Sequence, residues 1–367
     1  MSARKGRREN SDHGEGEIDV VNNTMRCSVA TYVCTAALTA LSFVPQAGVL
    51  AQSSSPGYHV IDTLLLGGEG GWDYLSVDAA AHRVYVSRGT HMQVVDTKSL
   101  AVVGDIPNTL GIHGIALIPS MKKGYTSNGR DSSVTVVDLE SLKELRKIRI
   151  DARNPDAILY EPVSHRVFTF NGGSENITAI DPVEDKVVGT LAAGGKPENV
   201  AYDGAGHVFV NVEDKSTILE FDARTLAVVT SWSIAPGEEP SGMAIDRENK
   251  RLFSVCRNKM MVVSDCVAGK VLAHLPIGAG VDGAAFDPTM HLAFSSNGEG
   301  SMTVVRVDGP DKFSVVETVP TRRGARTCAI DESTHRLYTI SAKFEAPTGE
   351  GRPKMLPGTA TLYVIGQ

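Results

Sequence analysis

Between residues 199 and 231 short apolar runs alternate with turn residues in a fixed order. Asn199-Val-Ala-Tyr202 reads as a strand, Asp203-Gly-Ala-Gly-His207 as a turn, and Val208-Phe-Val-Asn211, Ser216-Thr-Ile-Leu-Glu-Phe221 and Leu226-Ala-Val-Val-Thr-Ser231 as three further strands. The apolar positions alternate or run together over four to six residues, which is the period of sheet rather than helix. That order recurs seven times. Its phase is marked by the residue ahead of each first strand: Asp73, His113, Asp156, Glu198, Ser241, Asp282 and Arg326, spaced by 40, 43, 42, 43, 41 and 44 residues. Repeats of that length, built from short strands, predict an all-β, seven-bladed β-propeller of four-stranded blades.

The ends of the repeat array predict how the ring closes. The seventh repeat supplies strands over 327–330, 336–340 and 361–365 and then the chain ends, one strand short. Residues 58–66, ahead of the first repeat, provide the missing outer strand, so that the N-terminal strand joins the last blade and removes an open edge. The propeller then occupies residues 52–367. Residues 1–51 form an N-terminal extension in which the apolar run 28–44, Pro45 and Val49-Leu50-Ala51 read as a signal peptide, with Met25 an alternative start and a membrane anchor the competing reading. The expectation is an exported protein, periplasmic or extracellular.

Composition narrows the chemistry. The net charge of −7 and the lack of a basic stripe argue against a nucleic-acid partner. After cleavage Cys256, Cys266 and Cys328 remain, too few and too scattered for a disulfide framework, and no C-x-x-C-H is present for attached haem. Gly278-Ala-Gly-Val-Asp-Gly283 matches G-x-G-x-x-G but joins two strands and opens no helix, so it is no dinucleotide site. Asp96, Asp138, Asp181, Asp222 and Asp265 recur at one turn, and His82, His165, His207, His291 and His335 at another. Repetition at a turn is scaffold chemistry, so neither set is assigned to a site.

First strands of propeller blades begin at the mouth of the central channel. Asp73, His113, Asp156, Glu198, Ser241, Asp282 and Arg326 are therefore expected in one ring of ligand-binding groups. Carboxylates crowded there raise one another's pKa unless a cation or Arg326 intervenes. Asp73, Asp156, Glu198 and Asp282 suit a divalent cation such as calcium, and His113 extends the choice to zinc or manganese. The alternative is a ring that only solvates a wet channel. A second tier follows each second strand: Arg88, Asn128, Asn171, Asn211, Arg257 and Asn297. Its asparagines are either turn residues tolerant of left-handed backbone or further ligand groups, and its arginines are expected free to meet an anion. Trp72 and Tyr74 offer a stacking surface or core packing, and residues 343–359 a long loop over the mouth.

Several segments resemble the YVTN-type repeats of the YncE-like family: His82-Arg-Val-Tyr-Val-Ser87, Lys196-Pro-Glu198, Val208-Phe-Val-Asn-Val-Glu-Asp-Lys215, Arg251-Leu-Phe-Ser-Val-Cys-Arg-Asn-Lys259, Pro276-Ile-Gly278, Ser295-Ser-Asn-Gly298 and Gly324-Ala-Arg-Thr327. The resemblance covers 58–367 and implies a seven-bladed propeller, commonly exported in bacteria, with no general activity. Some members bind DNA, which the acidic charge here opposes. Gluconolactonase-type propellers hold a divalent metal in the channel, and the ring is similar in kind. Two functions follow as expectations. One is non-catalytic binding of a small molecule or protein at the channel face. The other is a metal-dependent lactonase or esterase, with His113 as general base and Arg326 on the oxyanion.

Overall fold

A computed structural model describes residues 57–346 and 354–367; the signal-peptide assignment and the tip of the 343–359 loop lie outside the described residues. Seven four-stranded antiparallel sheets are arranged as the blades of a β-propeller. The inner strands are β2 (Leu75–Asp78), β6 (Ile112–Ile118), β10 (Pro155–Glu161), β14 (Pro197–Tyr202), β18 (Pro240–Asp246), β22 (Val281–Asp287) and β26 (Cys328–Asp331). The last sheet runs β1 (His59–Leu65), β28 (Thr361–Gly366), β27 (Arg336–Ser341), β26, with His59 opposite Gly366 and Leu65 opposite Thr361. The expected closure is thus in place.

Burial explains the strand order within a blade. The second strand of blade five, β19 (Arg251–Cys256), is buried at every position, whereas the outer strand of blade two, β9 (Glu144–Arg149), is exposed at all but Ile148. Seven apolar clusters fill the seven blade-to-blade interfaces. Phe168 and Phe170 of blade three meet Val208, Val210 and Phe221 of blade four, and Tyr338 and Leu362 of blade seven meet Val84 and Val86 of blade one. Each sheet therefore buries both faces against its neighbours, as a propeller requires.

The repeated turns are scaffold for identifiable reasons. Asp96, Asp138, Asp181, Asp222 and Asp265 each accept backbone N–H bonds from two and three residues on, as Asp138 does from Glu140 at 3.2 Å and Ser141 at 2.7 Å. His82, His165, His291 and His335 adopt left-handed backbone, at φ between 51° and 57°, which completes the turn into the second strand.

Candidate functional site at the channel mouth

The first residues of the inner strands converge as expected, but they form a bonded network rather than an open ring of acids. Asp73 is held by its own N–H on Ser87 Oγ (2.8 Å) and by Thr327 Oγ1 donating to its carbonyl (2.7 Å). Its carboxylate meets His113 Nδ1 at 2.6 Å, and Asp156 reaches the same nitrogen at 3.3 Å. On the other side Arg326 Nε bonds Asp282 Oδ2 at 2.7 Å and Nη2 lies 3.5 Å from Asp73 Oδ1. Lys196 Nζ bonds Glu198 at 3.0 Å and also pairs with Glu213. Ser241, the uncharged ring position, donates its hydroxyl to Val281 O at 3.1 Å and so ties blade five to blade six.

Electrostatics follow from that geometry. Burial opposes a charge on His113, but the bond to Asp73 and the charges of Asp156 and Asp73 outweigh it and push its pKa up to about 9. Burial, then the Asp156 charge, raises Glu198 to about 8; burial raises Asp156 to about 6 even though His113 pulls the other way. Burial and the Asp73 charge also raise Asp282, against the pull of Arg326. A His113 that keeps its proton at neutral pH is an acid, so the general-base role expected for it needs that proton removed first.

Ligand spacing corrects the expected metal set. Donor atoms of Asp73, His113 and Asp156 lie within 4.8 Å of one another. Glu198 and Asp282 are instead each taken by a cation of the chain, Lys196 and Arg326. The three clustered side chains are about 20, 22 and 12% exposed, so the group opens to solvent at the mouth.

The second tier is corrected too. Asn128, Asn171 and Asn297 are fully buried within their second strands, without left-handed backbone. Each amide bridges its own strand to the third: Asn128 Nδ2 donates to Thr135 Oγ1 (2.9 Å), Asn171 Nδ2 to Thr178 Oγ1 (3.0 Å) and Asn297 Nδ2 to Thr303 Oγ1 (3.0 Å). Asn211, also buried, bonds Ser241 O and Gly242 O of the next blade. Arg257 is exposed and paired with Glu239 at 2.5 Å. Arg88, expected free for an anion, is completely buried. Trp72 is core, against Phe344 and beneath the Arg326 guanidinium.

Some residues of the site escaped the sequence reading. Asn154 and Lys196 stand two places before Asp156 and Glu198, a repeat position held by glycine in four other blades, and both bond to the ring. Gly129 is a second omission. A Cβ there would come within 2.7 Å of His113 Nε2 and 2.5 Å of Asn154 Oδ1, so only glycine lets those groups lie against the backbone. Tyr74 is the third. Positions equivalent to it carry Gly114, Ala157, Asn199, Gly242, Gly283 and Thr327, so Tyr74 is the one large side chain at that level. Burial holds its hydroxyl well above the usual phenol range, and the charges of Asp156 and Glu198, two and three blades away, add to that. A cavity of about 310 Å³ continues along the inner strands from Tyr74 to Arg247 and Glu332, and none of the seven ring positions lines it.

The chain matches no family model and no curated protein. Solved structures do match. The WD40 repeats of RRP9 align with a TM-score of 0.72 at 11% identity, over 85% of this chain and 99% of that one. A chain of a mitotic checkpoint complex gives 0.70 at 14%, over 90% and 98%, and one of Kuenenia stuttgartiensis hydrazine synthase 0.65 at 16%, over 80% and 95%. Likeness at such identities speaks for architecture alone: the chain is a seven-bladed β-propeller with WD40-like structural neighbours.

Proposed function

We propose that this propeller is a binding protein, of YVTN type and exported, whose channel mouth holds a divalent cation on Asp73, His113 and Asp156. One observation carries the reading: one imidazole and two carboxylates, from three consecutive blades, offer donor atoms within 4.8 Å while part of each stays open to solvent. An imidazole with carboxylates favours zinc or manganese over calcium. Three protein ligands leave coordination positions for a small molecule or a partner's side chain arriving at the mouth. The lactonase or esterase alternative is less well supported, since His113 is either a ligand or a proton carrier and no other neutral base stands beside it.

The test is a melting-temperature titration of chelator-stripped protein with zinc, manganese and calcium. A cation that binds only the folded state adds about 2.7 kcal/mol at a hundred times its dissociation constant. A saturable rise with zinc or manganese, lost in Asp156→Asn, supports the site. No rise with any of the three, or a rise that survives Asp156→Asn, refutes it.

A further inference from the structure

Residues 66–72, Leu-Gly-Gly-Glu-Gly-Gly-Trp, carry the chain from β1 of the last blade into the first blade. Gly67, Gly68 and Gly70 have φ of 65°, 67° and 93°, a region open chiefly to glycine. The loop is wound on Arg88, whose side chain has no solvent exposure. Arg88 Nη2 donates to Gly67 O at 2.8 Å and Glu69 O at 3.3 Å, and Nη1 to Gln93 Oε1 at 2.5 Å, while Nε has no partner. No described carboxylate pairs with it. Asp105, the acid whose charge reaches it, stands 3.6 Å from His91. A buried guanidinium held only by neutral oxygens is an uncompensated charge, which proteins seldom leave without a counterion.

The peptide planes turn that charge outward. In a trans peptide the C=O and the following N–H point in opposite directions. With the carbonyls of Gly67 and Glu69 drawn inward to Arg88, the N–H groups of Gly68 and Gly70 face away from it, and no described residue accepts from either. The loop backbone also lies directly on that of Arg88, since a Cβ on Gly70 would come within 2.3 Å of Arg88 O. Two free N–H groups on a glycine loop, with an unneutralised cation behind them, are donors for an anion. We infer that residues 67–71, backed by Arg88, are an oxyanion-binding site that takes the phosphate group of a small ligand, separate from the Asp73–His113–Asp156 cluster. The exposed Glu69 carboxylate is the acid of the loop itself and opposes that ligand.

Inorganic phosphate is the probe, added to chelator-stripped protein at constant ionic strength while backbone amides are followed by NMR. Saturable shifts are expected at Gly68 and Gly70. Competition by acetate would mark a carboxylate rather than a phosphoryl group as an equally good occupant. Glu69→Gln, at an exposed position that leaves the fold intact, is expected to tighten phosphate roughly fivefold, the effect of one unit charge about 4 Å away in water. Arg88→Met should abolish binding, and Glu69→Gln decides the matter if that variant does not fold. Shifts centred away from residues 67–71, no saturation, or no change in Glu69→Gln would overturn the inference.

Discussion

His113 should titrate far above an ordinary histidine in the metal-free protein, and the consequence for stability has a definite sign. Its pKa moves from 6.5 to about 9 because Asp73 at 2.6 Å and Asp156 at 3.3 Å hold the imidazolium against the cost of burial. A raised folded-state pKa means stability that is fully present below pH 6.5 and is lost as pH rises through 9. The gap corresponds to about 3 kcal/mol, at about 1.4 kcal/mol per pH unit, an order-of-magnitude figure for a side chain 22% exposed. The perturbation is His113→Gln, which keeps a hydrogen-bonding side chain of similar reach and removes the charge. Urea unfolding at pH 6.5 should find the variant less stable by about 3 kcal/mol, with the difference shrinking toward zero by pH 10. Asp156 is about half protonated at pH 6 and more so below it, so the comparison belongs between pH 6.5 and 10. Imidazole resonances give the pKa directly. A His113 that titrates at 6.5 or below, or a stability difference independent of pH, refutes the network as described.

Gly129→Ala forces a Cβ against His113 Nε2 and Asn154 Oδ1, so the pKa of His113 should fall toward 6.5 and zinc affinity with it, and the melting temperature should fall near neutral pH but not at pH 10; NMR titration and calorimetry read both. Glu198, raised to about 8 by burial, is strained when ionised, so Glu198→Gln should gain stability relative to wild type as pH rises from 5 to 9, measured by urea unfolding. Removing residues 57–66 deletes β1 and bares the edge of β28; a lowered melting temperature and concentration-dependent association in light scattering are expected, and a monomer of unchanged stability would contradict ring closure.

The fold was legible because the repeat is: seven phase residues fall at the starts of seven inner strands, and the spare strand at 58–66 appears as β1 in the last blade. What a single repeat position cannot convey is the fate of a side chain that leaves its own blade. Arg88 and Arg257 follow equivalent second strands, yet one is wrapped by a glycine loop and the other lies at the surface on Glu239. The buried asparagines had a signal, in hindsight. Thr126-Ser-Asn128 faces Ser133-Val-Thr135, Thr169-Phe-Asn171 faces Asn176-Ile-Thr178, and Ser295-Ser-Asn297 faces Ser301-Met-Thr303. Hydroxyls two residues from an amide on paired strands are what a buried amide needs. The ring's chemistry is only partly legible from the phase residues, because Asn154, Lys196 and Glu213 enter from positions outside the phase.

The central claim is that a cation replaces the proton on His113 between Asp73 and Asp156. The direct measurement is the proton release that accompanies zinc binding, followed at pH 7 by calorimetry in buffers of different ionisation enthalpy. With His113 protonated to about 9 in the free protein, close to one proton should leave per zinc bound, and His113→Gln should abolish both the binding and the release. Zinc that binds without releasing a proton, or that binds equally well to His113→Gln, would contradict the account.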